Sequence, residues 1–173
     1  FDDEYLVTSL RKKDLVKSLN LIKKDDTILD FGAGKCHYKK LLEEKCKKFI
    51  KVDFQTDDFN EIDFVTDKNG KIPVKNKSID MVYSLQVLEH VENLDLYISE
   101  IERILKPEGI VWLSTHGMWP YHPTPQDYRR WTLFGLKNEF KNFKIIDEDY
   151  FFGTPAYSLM IISRIFNKIF KKI

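Results

Sequence analysis

The stretch Thr27-Ile28-Leu29-Asp30-Phe31-Gly32-Ala33-Gly34 constrains this chain more than any other. Its first five residues read as a short buried strand, and the glycines at 32 and 34 permit a tight turn and a close approach of backbone to a ligand. Beyond the turn, Tyr38, Leu41, Leu42, Lys45 and Phe49 recur at helical spacing, the lysine stem lying along the apolar side. Phe49-Ile50-Lys51-Val52-Asp53 then reads as a second strand. Strand, turn, helix and strand in that order make the unit from which parallel sheets are built.

The alternation continues along the chain, with one irregularity. Ile62 to Thr66 reads as a third strand, yet only residues 55 to 61 separate it from the second. A parallel crossover usually takes a dozen or more residues, so the sheet is expected to be reduced there, with a short or displaced third strand. Ile79 to Leu85 is the next strand. Asn93 is placed to cap a helix carrying Leu94, Tyr97, Ile98, Ile101, Ile104 and Leu105, which Lys106-Pro107 and Gly109 stop. Ile110 to Ser114 follows as a strand, then a Pro- and aromatic-rich loop from His116 to Trp131. Thr132 caps a short helix through Phe140, and Phe143 to Tyr150 reads as a last strand. Ahead of all this, Leu6, Val7, Leu10, Val16, Leu19 and Ile22 suggest an amphipathic leading helix. The expected fold is α/β, a Rossmann-like, mostly parallel sheet with helices on both faces. One main domain, 1–155, is expected, followed by an amphipathic C-terminal helix, 156–173, belonging to the same domain or contacting a membrane or partner.

Composition narrows the function classes. The formal net charge is only +1, so no global basic field exists to hold a nucleic-acid backbone, and no nucleic-acid partner is expected. Two cysteines without C-x-x-C spacing make a poor disulfide framework for 173 residues and fit a reducing compartment. The first residues, Phe1-Asp2-Asp3-Glu4, are acidic and do not read as a signal peptide. Apolar runs fall short of the ~20 residues of a membrane span. The scattered His and Cys show no zinc-ligand spacing, so no metal is expected.

In open parallel sheets, ligands bind outside the carboxyl ends of the strands. That places residues 30–34, Asp53, Asp67, residues 85–89 and the loop after Ser114 around one crevice. Asp53 ends the second strand, where a carboxylate can accept hydrogen bonds from both hydroxyls of a ribose. A diphosphate-binding G-x-G-x-x-G would need a glycine at 37, which is His37, and no Walker-type loop is present. Both facts favour a nucleoside cofactor without phosphate groups.

Several segments then fall into one order: Ile28 to Gly34; Val52-Asp53; Thr66-Asp67 with Ile72-Pro73-Val74; Ser78-Ile79-Asp80; Val87-Leu88-Glu89-His90-Val91; and Arg103 to Gly109. In this series the chain resembles the class I S-adenosylmethionine-dependent methyltransferases, especially the small single-domain group. The resemblance implies S-adenosylmethionine as cofactor. It implies that Asp30 orients the turn and the methionine ammonium, that Gly32 and Gly34 lie against the cofactor, and that Asp53 binds ribose. Asp67 would take the adenine amino group, and Leu85 or Gln86 would contact the ligand through backbone atoms. The family's usual third glycine, two after Gly34, is Cys36 here, where the backbone is expected to keep φ below zero.

The acceptor side is expected in the loop after the last-but-one strand. Its tail, from His122-Pro123 to Asp127-Tyr128-Arg129-Arg130-Trp131-Thr132, resembles methyltransferases encoded with bacterial surface-polysaccharide and lipopolysaccharide genes, which implies a sugar or glycan acceptor. A hydroxyl acceptor gains from a general base with pKa near 7. His122 is the first candidate, with His116 and Asp127 as alternatives; His90 reads as packing. Each histidine is otherwise a loop residue bonded to backbone. Arg129 and Arg130 either clamp an acceptor phosphate or carboxylate or form an ordinary salt bridge to Asp127 or Glu139. Trp119, Tyr121, Tyr128 and Trp131 form a lid or sugar-stacking wall, or simply bury the loop.

Toward the C-terminus, Leu159, Ile162, Ile165, Phe166, Ile169, Phe170 and Ile173 share one helical face, with Arg164, Lys168, Lys171 and Lys172 on the polar side. Such a basic amphipathic helix suits a membrane interface, a partner groove or its own sheet. The expected function is therefore O-methylation of a saccharide or glycan-biosynthesis intermediate, in the cytoplasm or at the inner membrane face. The alternatives are methylation of a quinone or metabolite carboxylate, and a catalytically silent binding module.

Overall fold

The computed structural model describes residues 12–56, 62–67, 69–123, 125–150, 158, 161 and 162. The chain divides into two compact units: residues 21–141, and the flanks 1–20 with 142–173. The larger unit holds a five-stranded sheet in the order β3-β2-β1-β4-β5, parallel throughout. The strands are β1 (Thr27–Phe31), β2 (Lys48–Asp53), β3 (Phe64–Val65), β4 (Ile79–Leu85) and β5 (Leu105–Ser114). This is the Rossmann-like parallel sheet expected from the alternation of strands and helices.

β1 is the sheet's centre because it is apolar on both sides. Ile28, Leu29 and Asp30 are fully buried, and a strand covered on both faces reads as a continuous rather than alternating apolar run. It pairs Thr27 to Lys48 through Phe31 to Val52 on one side and Ile28 to Met81 through Asp30 to Tyr83 on the other. Phe31, Asp53 and Leu85 thus end neighbouring parallel strands, which gathers the loops that follow them at one edge.

The connection between β2 and β3 carries no room for a regular crossover, and β3 is only two residues long. It pairs Val52 with Phe64 and Asp53 with Val65, and Asp63 adds to this short ladder by accepting a hydrogen bond from the Lys51 N–H on its side chain (2.7 Å) and returning its own N–H to the Lys51 carbonyl (2.9 Å).

Two longer helices follow the pattern of their apolar residues, after the single turn and a half of α1 (Lys39–Glu43). α2 (Leu94–Ile104) buries Leu94, Tyr97, Ile98, Ile101 and Ile104. Each such side chain contributes about 1.5–3 kcal/mol when withdrawn from water. Asn93 caps it, accepting from the Leu96 N–H at 3.1 Å, worth about 1 kcal/mol. The Tyr97 hydroxyl donates to the Phe31 carbonyl (3.1 Å), and its ring stacks on Phe31 at 4.1 Å, fixing α2 to the end of β1. α3 (Leu133–Glu139) starts at Thr132, whose side chain accepts from the Gly135 N–H.

β5 leaves α2 without a loop and carries an irregularity: Ile79 pairs with Leu105, while Met81 pairs with Ile110. Five residues on β5 therefore oppose two steps of β4, and the excess bulges out at Lys106-Pro107-Glu108. Proline lacks the ladder N–H, so a bulge is where it can be accommodated.

In the flanking unit, residues 12–18 are helical, Leu15 and Ser18 are buried, and Lys17 pairs with Asp147 at 2.5 Å. The expected last strand, Phe143 to Tyr150, does not form: residues 144–150 carry no regular secondary structure, and Ile145, Ile146 and Tyr150 are exposed. Alternation of apolar residues alone does not make a strand without a paired edge. The boundary expected at 155 and most of the C-terminal helix lie outside the described residues, as do residues 1–11 of the leading helix. Among the described residues, no helix is long and apolar enough to cross a membrane.

Candidate functional site

The turn after β1 is held from below by β2. The N–H groups of Gly32 and Ala33 both donate to the Val52 carbonyl, at 2.8 and 3.0 Å. Gly32 sits at φ +88°, and a Cβ there would lie 2.5 Å from Cγ2 of Val87. Two separate reasons, left-handed backbone and a packed neighbour, therefore demand glycine. Gly34 is also left-handed (φ +48°), with open space where a side chain would project.

Cys36 corrects one expectation. Its φ is +37°, not negative, so the position retains the backbone of a glycine while carrying a side chain. A left-handed non-glycine residue costs about 1–2 kcal/mol. The compensation is visible: the thiol is buried and hydrogen-bonds to Asp30, while burial pushes its own pKa up and keeps it protonated.

Asp30 is fully buried at the end of β1. The Tyr38 hydroxyl donates to both its oxygens, at 3.0 and 3.2 Å. Burial pushes the Asp30 carboxyl up to about 7, against the opposing pull of the Cys36 and Tyr38 hydrogen bonds. Tyr38 was legible only as an apolar position of the following helix; its role here follows from the turn that brings residue 38 back over the strand end. Asp53, also buried, accepts the Gly34 N–H on one oxygen (2.8 Å) and the Phe54 N–H on the other (2.7 Å). The two carboxylates expected to flank a cofactor are thus tied to one turn.

Asp67 lies farther out and is exposed. One of its oxygens accepts from the N–H groups of Asn69 and Lys71, so this carboxylate shapes its own loop. Leu85 ends β4, and Gln86 beyond it is left-handed (φ +60°). The Gln86 N–H donates to the Ser114 carbonyl at 2.8 Å, fastening the ends of β4 and β5 together.

The loop after β5 brings three histidines together. The His90 and His122 rings lie 5.1 Å apart, and those of His116 and His122 5.9 Å. His116 is buried, stacks flat on Trp119 at 4.9 Å, and places Nδ1 2.9 Å from Oε1 of Glu89. Glu89 is fully buried and takes the Thr115 hydroxyl on its other oxygen at 2.8 Å. Burial works to raise the Glu89 pKa, but the His116 ring and the Thr115 hydroxyl outweigh it, and the carboxyl falls below its ordinary value. Sequence reasoning placed Glu89 in a family motif and missed this pairing, which depends on β5 returning Thr115 and His116 beside β4. His122 is held below the usual histidine range by partial burial and then by its two histidine neighbours. His90 bonds the Gln126 carbonyl through Nδ1.

The remaining loop residues organise the loop itself. Arg130 forks onto Asp127 and also donates to the carbonyls of Trp119, Pro120 and Arg129. That guanidinium holds the Asp127 carboxyl down at about 2, and Asp127 in turn accepts the His122 N–H at 2.8 Å. Arg130 thus makes the salt bridge to Asp127 that was one of the two roles expected for these arginines. Arg129 donates to the carbonyls of Val91 and Glu92. The Tyr128 N–H donates to the Glu89 carbonyl, its ring is exposed, and the Trp131 N–H donates to the His116 carbonyl. Both cysteines are free thiols. Among the described residues, no group of three or more His, Cys, Asp or Glu is placed to hold a metal ion.

Residues 29–113 match the family described as Methyltransferase domain. That region, just under half of the chain, is similar to methyltransferase domains. The match begins at the third residue of β1 and ends in β5, so it takes in the sheet's core and the turn just described. S-adenosylmethionine is the cofactor of the domain. The ubiquinone biosynthesis O-methyltransferase of Bartonella bacilliformis is 32% identical over 54 residues, covering 31% of this chain and 22% of that protein. The malonyl-[acyl-carrier protein] O-methyltransferase of a Methylovorus species is 40% identical over 47 residues, covering 27% and 16%. The chain thus spans less than a quarter of the length of either relative. The YcgJ protein of Bacillus subtilis superposes with a TM-score of 0.63 at 18% identity, over 76% of this chain and 67% of that one, which shows the shared fold.

Proposed function

We propose that this chain is an S-adenosylmethionine-dependent methyltransferase acting on an oxygen of a saccharide or glycan-biosynthesis intermediate. The observation that carries the cofactor half is the state of Asp53. Each of its oxygens takes one backbone N–H, and a carboxylate has about four acceptor sites. One acceptor site per oxygen remains for the two hydroxyls of a ribose. Gly34, left-handed with open space beside it, lets a ligand lie against the turn. Asp30, with Gly32 below it, faces the methionine ammonium in this reading, and Asp67 and Leu85 border the adenine side. When bound, the cofactor supplies a methyl group on a sulfonium that needs little further activation.

The acceptor half rests on the histidine cluster beside the ends of β4 and β5. Asp127, paired with Arg130 and held at about 2, is a weak base at neutral pH. The proton of an acceptor hydroxyl therefore goes to His122 or His116. Arg129, Arg130 and Trp131 serve recognition by fixing the loop, while the exposed rings of Tyr121 and Tyr128 suit stacking against a sugar. Residues 156–173, most of them outside the described residues, carry the proposed peripheral membrane contact on the strength of their basic amphipathic pattern.

The second reading, a quinone or carboxylate acceptor, is favoured by the names of the two relatives above, both O-methyltransferases. A silent binding module fits less well, because the seat formed by Asp30, Gly32, Gly34 and Asp53 is complete. Calorimetry with S-adenosylhomocysteine tests the cofactor reading. Hydrogen bonds to a charged group contribute about 1.5–3 kcal/mol each, so Asp53→Ala is expected to weaken binding at least tenfold; equal affinity refutes the ribose assignment. Transfer of labelled methyl to a panel of saccharides, catechols and carboxylic acids separates the two acceptor readings.

A further inference from the structure

Glu89 is a carboxylate with no exposed surface in a domain whose cofactor seat does not use it. Its surroundings are specific. Thr115 donates its hydroxyl to Oε2 at 2.8 Å, and Nδ1 of His116 lies 2.9 Å from Oε1. Distance brings the last two together, but their alignment is bent, and Oε1, Nδ1 and Nε2 are all buried without an aligned hydrogen bond. A carboxylate beside an imidazole nitrogen draws the ring proton to that nitrogen, which decides the tautomer and leaves the far nitrogen with its lone pair. Among the described residues, His116 is the histidine of the cluster with a carboxylate oxygen beside a ring nitrogen. His90 bonds the Gln126 carbonyl, and the Asp127 carboxylate is engaged by Arg130 and the His122 backbone.

We propose that Glu89 is a positioning residue that keeps the proton of His116 on Nδ1, so that Nε2 of His116 is the proton acceptor for an acceptor hydroxyl. This rests on the methyltransferase reading above and deepens it by choosing between His116 and His122. In the transfer step the acceptor O–H bond breaks and its proton passes to Nε2. The oxygen's electron pair forms the new bond to the methyl carbon as the carbon–sulfur bond breaks onto sulfur. The imidazolium so formed faces Glu89, whose negative charge stabilises it; Thr115 keeps the carboxylate from turning away. Nε2 is itself buried, and catalytic hydrogen bonds that are bent in the empty site commonly tighten on loading.

Long-range proton–nitrogen NMR on the nitrogen-15-labelled chain of 173 residues reads the tautomer of each histidine without any acceptor. The expected result at neutral pH is His116 as the Nδ1–H tautomer in the wild type and a mixed population in Glu89→Leu, which removes the acceptor while keeping the volume. His90 and His122 should be unchanged. An Nε2–H tautomer of His116 in the wild type overturns the proposal, and this result needs no variant to fold. An unchanged tautomer in a folded Glu89→Leu also overturns it. S-adenosylhomocysteine calorimetry on the same wild-type sample is expected to show binding. Its absence sinks the methyltransferase reading and the base role with it, but leaves the Glu89–His116 pairing measured.

Discussion

Replacing Asp30 with asparagine removes a charge that the fold has no water to solvate. The wild-type carboxyl is raised from 3.8 to about 7 by burial, with Cys36 and Tyr38 only partly offsetting the cost. The sign follows from linkage. Below pH 3.8 the group is neutral in both folded and unfolded chains and costs nothing. Between 3.8 and 7 the unfolded chain ionises first, so stability falls as pH rises, and above 7 the loss is complete. At 1.36 kcal/mol per pH unit, that loss is about 4 kcal/mol. Asparagine keeps the shape and an acceptor for Tyr38 but has no proton to lose. Urea unfolding of both proteins across this range should give curves that differ little near pH 4. They should then diverge until the variant is more stable by about 4 kcal/mol above pH 7. Taking the difference between the two proteins cancels the opposite slopes of Glu89, Asp80 and Asp127, whose lowered values make stability fall as pH drops. A difference that stays constant with pH refutes the reasoning. A second readout concerns the ligand: if ionised Asp30 faces the methionine ammonium, wild-type affinity for S-adenosylhomocysteine falls about tenfold per pH unit below 7.

Gly32→Ala meets both positive φ and Val87 at 2.5 Å; a loss of about 2–4 kcal/mol in urea unfolding is expected. Val87→Ala in the same chain should return the steric part, whereas strictly additive losses would show that the contact is not the cause. On whichever acceptor takes methyl, His116→Gln should lower kcat by about 10²–10⁴ with S-adenosylhomocysteine affinity intact. His122→Ala is expected to have the smaller effect; the reverse order returns the base to His122.

Much of the domain was legible because its elements are local. β1, the glycine turn, and Asn93 and Thr132 as caps each follow from residues a few positions apart and formed as their chemistry dictates, while the strand expected from Ile110 begins earlier, at Leu105, which was expected to end the helix. The shortage of chain between residues 55 and 61 likewise announced a reduced third strand. What was not legible depends on returns from far away. Val87 decides Gly32 across 55 residues of chain, and Thr115 completes Glu89 across 26. Phe143 to Tyr150 shows the converse: a pattern compatible with a strand stays irregular, since pattern supplies a face but not an edge to pair with. At Cys36 the sequence changed while the backbone did not, so a rule about residue type misjudged a rule about φ.

These cases bear on how the site is assembled. Asp30, Asp53 and Glu89 are all buried acids at the ends of the three adjacent central strands or just beyond, and each is held in a different way. Asp53 is satisfied by two backbone donors. Asp30 is pushed up to about 7 by burial, against the pull of the Cys36 and Tyr38 hydrogen bonds, into a range where a cationic ligand can shift it. Glu89 is kept ionised by an imidazole beside it. One edge of one parallel sheet therefore presents three carboxylates with separated properties, suited to a sugar diol, an ammonium and a proton-accepting ring. The separation comes from their neighbours rather than from the acids themselves. Exchanging those neighbours, Tyr38 or Thr115 above all, should alter function while leaving every carboxylate in place.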